Sequence, residues 1–151
     1  MSRTPRRIAT AFAPTDGVLF LALWWGGGRS GTLKDVIHLH DFVNRSIPTA
    51  DELDGGLNRL IAAGLIAERD GRFRVPAKVM RAYEAFRRKR RRDRFTMAGE
   101  FVRVAGPLDA VPRRVRVTAA DQARAYEEYR DWFEGEWNKL TIGHARSRGR
   151  V

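Results

Sequence analysis

Apolar positions change their spacing several times along this chain, and each change marks an expected element. Val18 to Trp25 is apolar on every side, which predicts a short buried helix starting at Thr15 or Asp16. A glycine loop, Gly26 to Gly31, follows. Val36, Ile37, His40 and Val43 then share the inner side of a second helix over Leu33 to Arg45, with Thr32 as its cap and Asp35 three residues on. Pro48 disfavours helical backbone at Ile47 and ends that helix. Thr49 and Glu52 have capping-box spacing: the hydroxyl accepts from a backbone N–H three residues on, and the glutamate reaches back. Leu53, Leu57, Leu60 and Ile61 form one helical stripe, and Gly64 stands where a left-handed residue closes a helix. Leu65-Ile66 opens an extended run, Asp70-Gly71 is a hairpin turn, and Phe73 and Val75 alternate with Arg72 and Arg74.

Beyond the hairpin, Pro76 suits the first turn of a helix, because its missing N–H would be unpaired there anyway. Val79, Met80, Tyr83 and Phe86 give that helix an apolar stripe. From Arg87 to Arg94 the stripe stops and basic residues cover the whole circumference. Phe101 to Val104 and Arg114 to Val117 alternate like a pair of short strands, with Gly106-Pro107 and Pro112 between them. Thr118 and Asp121 cap a last helix whose apolar face is Tyr126, Tyr129, Phe133 and Trp137. Residues 1–14 read as a disordered basic arm, and residues 139–151, basic and poor in apolar residues, as a disordered tail.

The order of helices, glycine stop and charged hairpin over residues 15–75 resembles the winged helix-turn-helix superfamily. The fold expected is mainly α with small β: a winged-helix domain at 15–75, then an extension over 76–138 made of a basic helix, a short strand pair and a closing amphipathic helix. The resemblance implies DNA binding, with the third helix in the major groove and the wing on the backbone. Two features depart from the family pattern. The second helix is longer than usual. The third opens on Asp51, Glu52 and Asp54, which stabilise its dipole but oppose phosphate.

Charge sharpens this picture. The 151 residues carry a formal net charge of +11, which points to a polyanionic partner. Residues 16–75 hold seven basic and eight acidic side chains, whereas 76–100 hold nine basic and three acidic. The positive charge therefore follows the winged-helix region rather than lying within it. Clustered guanidinium groups bind phosphates well, and like charges four residues apart on a helix repel without a partner. An internal partner is also available in Glu127, Glu128, Asp131 and Glu134 of the last helix.

Catalytic and cofactor chemistry finds no support. The chain has no cysteine, which rules out thiolate catalysis and cysteine-ligated zinc. Gly26 and Gly31 have the spacing of a phosphate-binding loop, but Thr32 stands where lysine is required. His38 and His40, two apart on a helix, point in different directions. No apolar run reaches the roughly 20 residues needed to span a bilayer. Gly55-Gly56 costs about 1 kcal/mol per glycine inside a helix; close approach to nucleic acid, close packing against the second helix or a local bend would each explain it.

The expected function is non-enzymatic, cytoplasmic binding of double-stranded DNA, with transcriptional regulation as a natural role and no metal or cofactor. Phosphate contacts are expected from Arg69, Arg72 and Arg74 in the wing and from Arg87, Arg88, Arg90, Arg91, Arg92 and Arg94; base reading falls to Asn58 and Arg59 on the outer side of the third helix. The alternatives are RNA or ribosome association through the arginine segment, and a protein-interaction module. In the second case Tyr129, Trp132 and Trp137 would be exposed in one patch, serving a homodimer through the C-terminal helix or another partner.

Overall fold

The computed structural model describes the backbone of residues 7–148 and the side chains of residues 7–140. Six helices and one hairpin follow in the order α1 Pro14–Trp25, α2 Leu33–Asn44, α3 Ala50–Ala62, β1 Ala67–Arg69, β2 Arg72–Arg74, α4 Ala77–Arg88, α5 Arg94–Val104 and α6 Ala119–Arg148. The fold is mainly helical with one two-stranded antiparallel sheet. Residues 1–6 of the expected arm lie outside the described residues. Within the rest, Phe12 packs against the core.

Local signals set the boundaries of the first half. The Thr32 N–H and hydroxyl donate to Asp35 at 2.9 and 3.0 Å and start α2. Thr49 Oγ1 accepts from the Glu52 N–H at 3.1 Å and starts α3. Gly64 follows α3 with φ +73°, a conformation a Cβ would strain. Asp70 and Gly71, at φ +51° and +75°, close the hairpin, as a tight two-residue turn requires. β2 gains a second neighbour, because Phe73 and Gly31 exchange two backbone hydrogen bonds of 2.8 Å. The loop before α2 is thereby tied to the hairpin.

Helix α1 is the centre of the molecule. Leu19 to Leu23 are buried, and α2, α3 and α5 pack around them. Gly17 permits the closest approach: a Cβ there would stand 2.8 Å from Gly99 Cα in α5. An aromatic cluster joins α1, α4 and α5. Phe20 meets Tyr83 edge-on at 5.2 Å, and Phe101 lies 5.0–5.3 Å from Phe20, Tyr83 and Phe86. Such ring pairs contribute about 0.5–1.5 kcal/mol each beyond the area they bury.

Four expectations for the second half are corrected. Phe101 to Val104 is not a strand; it is the last turn of α5, where Phe101 and buried Val102 face the core. Arg114 to Val117 alternates outward and inward as expected, but among the described residues pairs with no strand. The arginine run is not one continuous basic helix. α4 stops at Arg88, and Asp93 caps α5 by accepting from Thr96 N–H at 2.9 Å and Thr96 Oγ1 at 2.6 Å. Those bonds, the Thr96 side chain first, hold the Asp93 carboxyl below its ordinary range. Nor does the chain lose structure at residue 139, since α6 continues to Arg148. Residues 149–151 of the expected tail lie outside the described residues.

Candidate nucleic-acid interface

The third helix is covered. Among its residues only Asp51 is well exposed, and the two expected base readers are inside. Arg59 is 7% exposed and forms a bidentate pair with the fully buried Asp16 of α1, through Nε to Oδ2 at 2.6 Å and Nη2 to Oδ1 at 3.0 Å. The glycine pair makes room for this contact. A Cβ on Gly55 would meet the Arg59 guanidinium at 2.9 Å, and one on Gly56 would meet Asp16 Oδ1 and Leu19 Cδ2 at 2.9 Å. The close approach is therefore to α1, rather than to α2 or to nucleic acid.

Asn58 is fully buried under the extended segment that leads into α6. Its Nδ2 donates to Asp54 O at 2.7 Å and Val115 O at 2.9 Å. Its Oδ1 accepts from the Arg114 and Val115 N–H groups at 2.8 and 3.0 Å. Asp54 accepts from Val117 N–H at 2.9 Å and from Arg113 Nη1. One asparagine and one aspartate thus do for this segment what a neighbouring strand would do, satisfying buried backbone groups that would otherwise cost folding energy. Sequence reasoning put Asn58 and Arg59 outside because polar side chains usually face water. The available signal was Asp16, a carboxylate at the head of a wholly apolar helix.

The wing arginines do come together. With Ala67 opposite Arg74 and Arg69 opposite Arg72, the side chains of Arg69, Arg72 and Arg74 share one face of the hairpin. All three are exposed. Arg72 is fixed by donating to Ser30 Oγ at 3.2 Å and Ser30 O at 2.9 Å. Next along the chain, Lys78, Arg81 and Arg88 of α4 and Lys89 just after it are exposed, at spacings that share one side of the helix. Between Arg69 and Arg92 the only carboxylates are Asp70 and Glu84.

Past α4 the run divides by role. Arg87 lies 4.9 Å from the Trp24 ring and 3.5 Å from Glu84. Arg90 stacks 3.5 Å from the Phe86 ring and donates to Phe86 O at 2.9 Å. Arg92 pairs with Glu100 at 3.0 Å, and Arg94 donates to Val43 O at 3.0 Å. These four are tethered to the fold. Arg88, Lys89 and Arg91 have no ion-pair partner among the described residues. The acidic residues of α6 do not neutralise the run: among the described residues, none of Glu127, Glu128, Asp131 and Glu134 pairs with it.

Lys78 and Arg81, which the sequence reading did not single out, complete the ridge. Their signal was their place on the face opposite Val79, Met80 and Tyr83. A rise of about 1.5 Å per residue spreads the ridge over roughly 16 Å from Lys78 to Lys89, a length on which duplex DNA presents about nine phosphate charges.

Trp132, Phe133 and Trp137 of α6 are exposed beside one groove, whereas Tyr126 packs partly buried against the core and Tyr129 is buried. Tyr129 is 7% exposed and donates to Asp41 Oδ2 at 2.7 Å. Burial first, and that bond second, push its hydroxyl up to about 12. His38 stacks on Tyr129 at 5.1 Å and lies tilted against Trp132 at 4.7 Å, and burial lowers its pKa from the ordinary 6.5. Phe42, Trp132, Phe133, Trp137 and Leu140 border the groove beside them. Among the described residues no cluster of three or more carboxylates and histidines could hold a metal, and no helix is long and apolar enough to cross a membrane. Comparison with protein-family models, curated proteins and solved structures finds no match.

Proposed function

We propose that this chain is a non-enzymatic, cytoplasmic DNA-binding protein on a winged-helix-like core, and that it grips the duplex by its phosphate backbone. The observation that carries this reading is the cationic ridge of Arg69, Arg72, Arg74, Lys78, Arg81, Arg88, Lys89 and Arg91, whose exposed positions continue from the hairpin along α4 into the loop after it. Neutralising phosphates releases counterions, and that term drives binding without reading sequence. The three helices, the hairpin and the Gly31–Phe73 bridge support the winged-helix likeness. The use of α3 differs from that likeness. With Asn58 and Arg59 occupied internally, α3 has no base-reading residue to offer, so a regulatory role would act through occupancy rather than site recognition.

The test is binding of the full chain to several unrelated duplex sequences, with double-stranded RNA as competitor. Affinities within a few-fold of one another, with DNA preferred, are expected. A hundredfold preference for one sequence would contradict backbone gripping, and retention on RNA alone would move the reading to RNA. The exposed aromatic groove favours a second role, contact with protein, carried by different elements from the ridge.

A further inference from the structure

The apolar stripe of α6 outruns its cover. α2 has 12 residues and α6 has 30, about 18 and 45 Å at the helical rise. The stripe packs on α2 through buried Ala125 and Tyr129 and reaches the end of α2 near Phe42. From there it runs on exposed: Phe42 is 62% exposed, Trp132 42%, Phe133 51%, Trp137 59% and Leu140 63%. Solvent gives no reason for three large rings and a leucine at this spacing. The groove they border is about 440 Å³.

We propose that a second copy of this chain covers the exposed stripe, the two α6 helices running antiparallel about a two-fold axis between Glu136 and Trp137. This rests on the protein-contact reading above and names its partner. Area is the first argument. The five exposed side chains offer roughly 600 Å² per copy, so a symmetric pair hides about 1,200 Å², the lower edge of specific interfaces. A two-fold interface needs a surface complementary to itself. Charge is the second argument. The first part of α6 carries Asp121, Glu127, Glu128, Asp131, Glu134 and Glu136 against Arg124 and Arg130, whereas from Lys139 onward the sequence has no carboxylate. Antiparallel pairing sets the basic end of each helix along the acidic part of the other. Parallel pairing would set like against like.

The test is sedimentation equilibrium of the full chain, without nucleic acid, over micromolar concentrations. A monomer–dimer equilibrium is expected, and Trp137→Glu should weaken it at least about tenfold, as loss of a central aromatic anchor does. Circular dichroism of the variant should be unchanged, because the side chain is exposed. The absence of cysteine makes orientation testable. On oxidation, Phe133→Cys mixed with Leu140→Cys should link to each other, and neither should link to itself. A chain monomeric throughout would overturn the proposal and leave another protein as the partner. A dimer indifferent to Trp137→Glu, or cysteines that each link to themselves, would overturn it as well. None of these results bears on DNA binding by the ridge.

Discussion

Arg59→Met separates the buried arginine from the arginine expected to read bases. Methionine keeps most of the aliphatic volume and removes the charge, so Asp16 is left at 0% exposure with only the Ala13 N–H, at 2.9 Å, as a remaining hydrogen-bond donor. Breaking a buried pair by deleting one partner costs about 3–5 kcal/mol. Against a typical total of 5–15 kcal/mol, that is a large share of the stability of the fold. Urea unfolding followed by tryptophan fluorescence should register a loss of that size for Arg59→Met. Asp16→Asn combined with Arg59→Met should lose less than the two single losses added together, by more than about 1 kcal/mol, since the residues touch. Where the variant is folded, its affinity for duplex DNA should match that of the parent chain. A variant with parental stability and weakened DNA binding would refute the reasoning, because Arg59 would then lie at the DNA surface.

Other substitutions probe separate contacts. Gly17→Ala should cost about 1–3 kcal/mol, because the new Cβ would meet Gly99 backbone atoms at 2.8–2.9 Å and backbone cannot swing aside. Asn58→Ala should free the segment over α3, seen as faster amide exchange at Arg114 and Val115, whose N–H groups lose their acceptor. Tyr129 supplies a pH test. Its hydroxyl ionises near 10 when unfolded and near 12 when folded. The stability it contributes is complete below pH 10 and is lost as pH rises toward 12, and Tyr129→Phe should flatten that decline. His38 works at the other end. Its folded pKa lies below 6.5, so its contribution is full above that value and falls as acid protonates it, a loss His38→Phe should reduce.

Local chemistry made the first half of the fold readable. Thr32, Thr49, Gly64 and Asp70-Gly71 each set a boundary through contacts within a few residues, and those boundaries are found where the sequence puts them. The second half depends on contacts far along the chain. A four-residue apolar alternation such as Phe101 to Val104 fits a strand or a helix face, and the rings of Phe20 and Tyr83 decide for the helix. Arg114 to Val117 alternates correctly, but its partner is an asparagine 56 residues earlier. The arginine run concealed a helix boundary that Asp93 and Thr96 encode. In the candidate site, the exposed wing and loop arginines were readable because surface charge needs no partner. The inward turn of Arg59 was not, because it follows from Asp16 and two glycines meeting across α1 and α3.

The central claim is that the ridge grips phosphates. Fluorescence anisotropy of a mixed-sequence duplex across a salt series tests it most directly, comparing the full chain with a variant in which Arg81, Arg88, Lys89 and Arg91 are serine. Each phosphate contact contributes about 0.9 to the slope of log affinity against log salt, so four lost contacts should flatten it by about 3–4. An unchanged slope, or no binding by the parent chain at low salt, would contradict the account.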